Sequence, residues 1–208
     1  MPWLDLTITA LALAAALALR PWRGVGPGGP PWPWLAWWAV LPLFWGADRY
    51  AATPVLQPLS GAALLMLMAG WPLAVLALVP VALLTGWLGD LGWVETLQRG
   101  VWLGLVPASL AMALGAGIRR WLPQHLFVYI LGRGFFATVA AGMLAGALSA
   151  ALHGVPAGLR VEDVLLARWL AAWGDAFLAG MMAAIFVAFR PEWLATYADR
   201  LYLPSARP

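Results

Sequence analysis

Few side chains in this sequence could do chemistry, and two of them fall deep inside apolar runs. Asp175 lies in Gly174-Asp175-Ala176-Phe177-Leu178-Ala179-Gly180, and Arg133 in Leu131-Gly132-Arg133-Gly134-Phe135-Phe136. At about 1.5 Å per helical residue, each sits roughly 10 Å from one end of its run, and the two approach from opposite sides. A charge in hydrocarbon is expensive, so it neutralises, finds a partner or serves a function. Asp175 is the stronger candidate ligand contact, because Gly174 and Gly180 leave room beside it. Arg133 is the second, although its long stem also lets it reach toward an interface. The two histidines, His125 and His153, fall at the start and end of a single apolar run. They therefore belong to opposite sides and do not share a metal. His125, after Pro123-Gln124, is the third ligand-binding candidate.

No enzyme signature surrounds these residues. The sequence has no H-E-x-x-H, no G-x-S-x-G and no phosphate-binding glycine loop. Ser109 has no motif that would pair it with a histidine. With no cysteine there is no thiolate ligand, disulfide or cysteine nucleophile. The expectation is no catalytic residue, no metal site and no cofactor.

The elements that must hold these groups follow from composition. Of 208 residues 63% are hydrophobic and only 10% charged, with a mean hydropathy of +0.83. An ordinary soluble domain is about 25% charged. A soluble globule, a disordered chain and a nucleic-acid-binding domain are thereby excluded. All 12 basic residues are arginine, and the net charge of +3 is too small and too scattered for a phosphate backbone. What fits is an all-α, polytopic transmembrane helix bundle in contact with membrane lipid. The 15 tryptophans suit anchoring at the headgroup boundary and packing.

Apolar runs and turn signals predict about seven helices, some short or tilted: 3–20, 34–47, 55–69, 72–88, 100–117, 126–152 and 168–189. Gly70-Trp71-Pro72 breaks the long third run, so the helices on either side are short, tilted or re-entrant. Residues 89–99 carry Asp90, Glu95 and Arg99 and belong near a surface or in a wet cavity. The bundle occupies 1–190. A polar and aromatic tail, 191–208, is expected to lie along the cytoplasmic surface. Arg20 and Arg23 follow the first apolar run and nothing positive precedes it, which indicates a retained helix rather than a cleaved signal. Seven passes put the termini on opposite sides. Arg20, Arg23, Arg119, Arg120, Arg190, Arg200 and Arg207 then share one side, against Arg49, Arg99, Arg160 and Arg168 on the other. The excess of arginine on cytoplasmic loops places the N-terminus outside and the C-terminus inside. Ala10, Ala14 and Ala18 form a four-residue ridge on the first helix, which serves either packing within the bundle or docking of a partner subunit.

The stretch Leu122-Pro123-Gln124-His125-Leu126-Phe127-Val128-Tyr129-Ile130, with Gly134-Phe135-Phe136, resembles the energy-coupling-factor permeases of the cobalt/nickel type. So do Asp175 to Met181, Phe189-Arg190-Pro191-Glu192-Trp193 and Asp199-Arg200-Leu201-Tyr202-Leu203. Ser60-Gly61-Ala62-Ala63-Leu64 and Gly89-Asp90-Leu91-Gly92 are similar to further family segments. The resemblance implies a substrate-binding subunit in the bacterial inner membrane. Such a subunit works with a transmembrane coupling protein, met through the Ala10/Ala14/Ala18 ridge, and a pair of cytoplasmic ATPases. The departures are as informative. Family members hold the metal with a histidine at position 2 and a second histidine near the third helix. Here those places are Pro2 and Pro58, neither of which supplies an imidazole. The sequence therefore points to a substrate-binding permease subunit with a changed ligand. The alternative is a non-transporting structural or accessory subunit of another membrane complex. A cavity between the third, sixth and seventh helices, lined by Asp175, is expected to hold any ligand.

Overall fold

The computed structural model describes residues 2–25, 29–51, 56–156 and 158–202, and every regular element among them is helical. We number the helices α1 (Pro2–Ala18), α2 (Trp32–Trp45), α3 (Ala47–Tyr50), α4 (Ala62–Ala69), α5 (Trp71–Leu88), α6 (Trp93–Trp121), α7 (Val128–His153), α8 (Val161–Phe189) and α9 (Asp199–Tyr202). Helices α5 to α8 are long and apolar enough to cross a membrane. The protein is a membrane-embedded helical bundle.

Side-chain contacts fix which ends lie together. Asp5 near the start of α1 meets Trp102 in α6 and His153 at the end of α7. Asp48 in α3 meets Arg99 in α6. These groups share one end, here the cavity end. At the other, the tail end, Trp34 at the start of α2 donates to the Trp193 carbonyl, and Arg133 and Tyr129 in α7 reach Thr196. The described chain thus runs between the two ends seven times, and its first and last described residues lie at opposite ends. Arg49, Arg99 and Arg168 fall at the cavity end and Arg190 at the tail end, the grouping used in the sequence count, and Arg133, which that count left out, also lies toward the tail end. Arg207 lies outside the described residues.

The third pass is not the helix expected over 55–69. Val55 is outside the described residues, residues 56–61 are irregular, and α4 is only eight residues long. Such a helix covers roughly 12 Å and cannot span a bilayer alone. All eight of its residues are buried, so it is a half-helix wrapped in protein. Non-helical backbone at membrane depth survives only if every N–H and C=O is satisfied inside the protein. Here α2 does much of that work. Trp45 Nε1 donates to the Ser60 carbonyl at 2.7 Å and Trp37 Nε1 to the Gly61 carbonyl at 3.0 Å. These tryptophans therefore do more than anchor the chain at headgroup level. Gly61 itself has φ +62°, and a Cβ there would stand 2.5 Å from Leu41 Cδ2, so only glycine serves at this turn.

Two other boundaries differ from expectation. Residues 93–99 are helical and form the uninterrupted start of α6, because Glu95 and Arg99 at i, i+4 keep one polar face on the helix. Helix α8 starts at Val161, two turns before the expected 168, with Glu162 and Asp163 favouring its positive N-terminal pole. Between α7 and α8, glycines bring backbones close, as a Cβ on Gly142 would sit 2.9 Å from Ala172 Cβ and one on Gly134 3.2 Å from Ala183 Cβ.

The tail does not lie along the surface. It folds back into the bundle and buries Leu194, Tyr197 and Tyr202. Its backbone caps α4, with Ala195 N–H donating to the Met68 carbonyl at 2.9 Å and Thr196 N–H to the Leu67 carbonyl at 3.3 Å. The last carbonyls of a helix need such partners, and water is absent at this depth. Residues 203–208 are outside the described part.

Candidate functional site

A cavity of about 440 Å³ opens at the cavity end. Its walls come from the 56–58 stretch, α3, α6, α7 and α8, and Gln57, Gln98, Ser149, His153 and Arg168 are among its polar lining residues. A narrow extension of about 30 Å³, sharing Gln57, Trp102 and Arg168 with it, reaches Ser60 and Asp175. The third, sixth and seventh predicted helices contribute to its wall, and so does α6, the fifth, through Gln98, Arg99, Trp102 and Leu103.

Asp175 projects from α8 onto the broken third pass. Its two carboxylate oxygens accept from the backbone N–H groups of Ser60 at 2.9 Å and Gly61 at 3.0 Å. Ser60 Oγ donates to the Leu103 carbonyl at 2.6 Å and accepts from Ala62 N–H at 3.2 Å. Leu103 lies in a π-helical turn, Gly100–Leu105, whose wider spacing leaves room for that bond. Asp175 therefore caps the start of α4 from another helix. Both oxygens are committed, and the residue is 7% exposed at the floor of the cavity.

The other candidates are not gathered around Asp175. Arg133 is buried toward the tail end, where Nη1 donates to the Thr196 carbonyl and to the Tyr202 hydroxyl, both at 3.1 Å. Its neighbour Gly134 packs on Ala183, eight residues beyond Asp175, or roughly 12 Å along α8. Arg133 thus reaches the tail. His125 is exposed before α7, where Nδ1 accepts from Phe127 N–H at 3.3 Å and the ring stacks on Phe127. Pro2 opens α1, beside a Trp3 that is 80% exposed. Pro58 lines the cavity. Ala10, Ala14 and Ala18 all face outward, and it is the adjacent Ala12 and Ala16 that pack on the bundle. The ridge is thus not spent on internal packing.

Sequence reasoning missed a third deep charge. Asp5 is 0% exposed, accepts from Trp102 Nε1 at 2.9 Å, and its other oxygen lies 3.0 Å from His153 Nε2. It escaped notice because it sits only four residues into the chain, where a helix end ordinarily lies in water. The pairing joins residues 148 positions apart, which no local pattern reveals. His153 is correspondingly not a surface residue but part of the cavity wall, edge-on to the Trp102 ring.

An ion-pair network borders the cavity. Arg99 donates to Asp48 at 2.6 Å and to Glu95 at 2.8 Å, and Arg49 donates to Glu95 at 2.7 Å. Partial burial of Asp48 opposes its charged form, but the hydrogen bonds and charge of Arg99 outweigh that and hold its carboxyl below the ordinary 3.8. The stability gained from Asp48 is therefore complete above that ordinary value and is lost as pH falls through the lower folded value. The gap in unfolding temperature between the protein and its Asp48→Asn variant should stay constant from about pH 7 to about pH 5 and close only below about pH 4. A gap that closes near pH 6 would contradict this assignment.

Among the described residues no three His, Asp or Glu side chains gather where a single ion could be held. Chemically the site offers hydrogen-bond donors and acceptors and one arginine without a carboxylate, which suits binding. The chain matches no protein-family model, no curated protein and no solved structure.

Proposed function

We propose that the protein is the membrane-embedded substrate-binding subunit of a transporter, with its N-terminus outside and its C-terminus in the cytoplasm. The observation that carries this reading is the polar cavity of about 440 Å³ set into an otherwise apolar bundle. Its volume falls in the range of about 300–1,000 Å³ usual for small-molecule sites. All of its lining residues belong to one end of the bundle. With the arginine-poor cavity end outside, the site faces the compartment from which a substrate would be captured. The sequence resemblance to energy-coupling-factor permeases supports the same role. The outward ridge Ala10/Ala14/Ala18 offers the close helix approach by which a coupling protein would bind.

The test is isolation of the tagged protein from its own cells in mild detergent. A coupling protein and an ATPase pair should accompany it, and Ala14→Trp should reduce their recovery at least about fivefold, an estimate for one bulky residue blocking small-residue packing. Recovery with an unrelated membrane complex and no ATPase would favour the accessory-subunit reading instead.

A further inference from the structure

Among the described residues, the cavity wall holds one arginine that no carboxylate balances. Arg99 is matched by Asp48 and Glu95, Arg49 by Glu95, and His153 by Asp5. Arg168 of α8 makes a single protein hydrogen bond among the described residues, from Nη1 to the Gly146 carbonyl. Its stem lies flat on α7 because Gly146 has no side chain, and a Cβ there would meet the Arg168 Cδ at 3.1 Å. On the same wall, Arg168 Nε and His153 Nδ1 are both shielded from solvent and have no partner among the described residues. The two deeply buried carboxylates are committed elsewhere, Asp175 to two backbone amides and Asp5 to Trp102 and His153, and no acid among the described residues lies within ion-pair distance of Arg168.

A half-buried guanidinium with one neutral partner is costly, and that cost is relieved by an acceptor carrying negative charge. The planar fork of arginine matches the paired oxygens of a carboxylate or phosphate. Ser149, Gln57 and Gln98 line the same cavity and add neutral hydrogen-bonding groups. We propose that the cavity takes a small organic anion whose carboxylate or phosphate oxygens dock on Arg168. The proposal rests on the reading of the cavity as the ligand site and supplies the class of ligand. The same oxyanion chemistry could come from a soluble molecule or from an anionic lipid headgroup, and the two are separable.

The experiment uses the full chain in phosphatidylcholine nanodiscs, titrated calorimetrically with benzoate, phenyl phosphate and the neutral isostere benzamide. At least one anion should bind about tenfold or more tightly than benzamide, as expected for a hydrogen-bonded charge pair. Arg168→Gln should abolish that preference and Arg168→Lys should retain part of it. Comparing benzoate with benzamide on the unaltered protein needs no variant, so a folding defect in Arg168→Gln leaves the test intact. If neither anion binds but phosphatidylglycerol in the discs raises the unfolding temperature of the protein and not of Arg168→Gln, the oxyanion is a lipid phosphate. Benzamide binding as well as benzoate would overturn the anion assignment while leaving the cavity as a ligand site. Binding of no probe, with no lipid effect, would overturn it outright. Neither outcome touches the co-isolation of coupling protein and ATPases, which tests the transport reading separately.

Discussion

Asp175→Ala is expected to destabilise the protein by about 3–5 kcal/mol, since each buried N–H left without an acceptor costs about 1–3 kcal/mol and a helix cap is lost as well. Ser60 and Gly61 would both lose their acceptor at a buried position. The half-helix α4 would then be uncapped at its buried start. Thermal unfolding in detergent should register a drop on the order of 10 °C, by the scaling for domains of this length. Asp175→Asn keeps one acceptor oxygen and should lose about half as much. The comparison separates a structural carboxylate from a ligand contact. A residue kept only for binding would leave the unfolding temperature unmoved in the alanine variant, and that result would refute the capping role.

Ending the chain at Arg190 should be at least as damaging. The Leu67 and Met68 carbonyls would lose Ala195 and Thr196, and Tyr129 would lose the Thr196 hydroxyl 2.9 Å away. Buried Arg133 would lose both of its hydrogen-bond acceptors. Stranding a buried charge alone costs about 3–5 kcal/mol, so the total should exceed about 5 kcal/mol and sharply reduce accumulation in the membrane. Because an orphaned guanidinium carries much of that loss, Arg133→Met should restore part of the stability of the shortened chain while destabilising the full one. Opposite signs in the two backgrounds are the signature of direct coupling. A shortened chain that unfolds with the full-length protein would show that the tail is not part of the bundle.

The two effects share a cause in the third pass. A helix long enough to span satisfies its own backbone, and α5 to α8 do so. The 56–69 stretch does not, and the rest of the protein is arranged around its unmet hydrogen bonds. Tryptophans of α2 serve its carbonyls, Asp175 serves its amides, and the tail serves the end of α4. Three features that read separately in the sequence, a tryptophan-rich helix, a lone deep acid and an aromatic tail, meet on one segment.

Much of this was legible in the sequence. Apolar length gave the all-helical bundle and its long helices, four of which can cross a membrane, because a bilayer sets a minimum length for any helix that spans it. Arginine spacing along the chain separated the two ends in the same way. Gly70-Trp71-Pro72 marked the break between α4 and α5. The depth of Asp175 was also readable, since position within an apolar run is a local property. Its partner was not, as the backbone amides it serves lie 114 and 115 residues away and carry no side-chain signal.

What the chain alone determined was therefore the environment: lipid around it, helices through it, and charges pressed to its ends. Only the tertiary structure decided what each deep polar group is for. It turned Asp175 into a cap, tied Arg133 to the tail, buried Asp5 against His153 and left Arg168 without an acid. The physical reason is that hydropathy is a sum over neighbours in sequence, whereas a hydrogen bond in an apolar medium depends on which atoms lie within about 3 Å, wherever in the chain they come from.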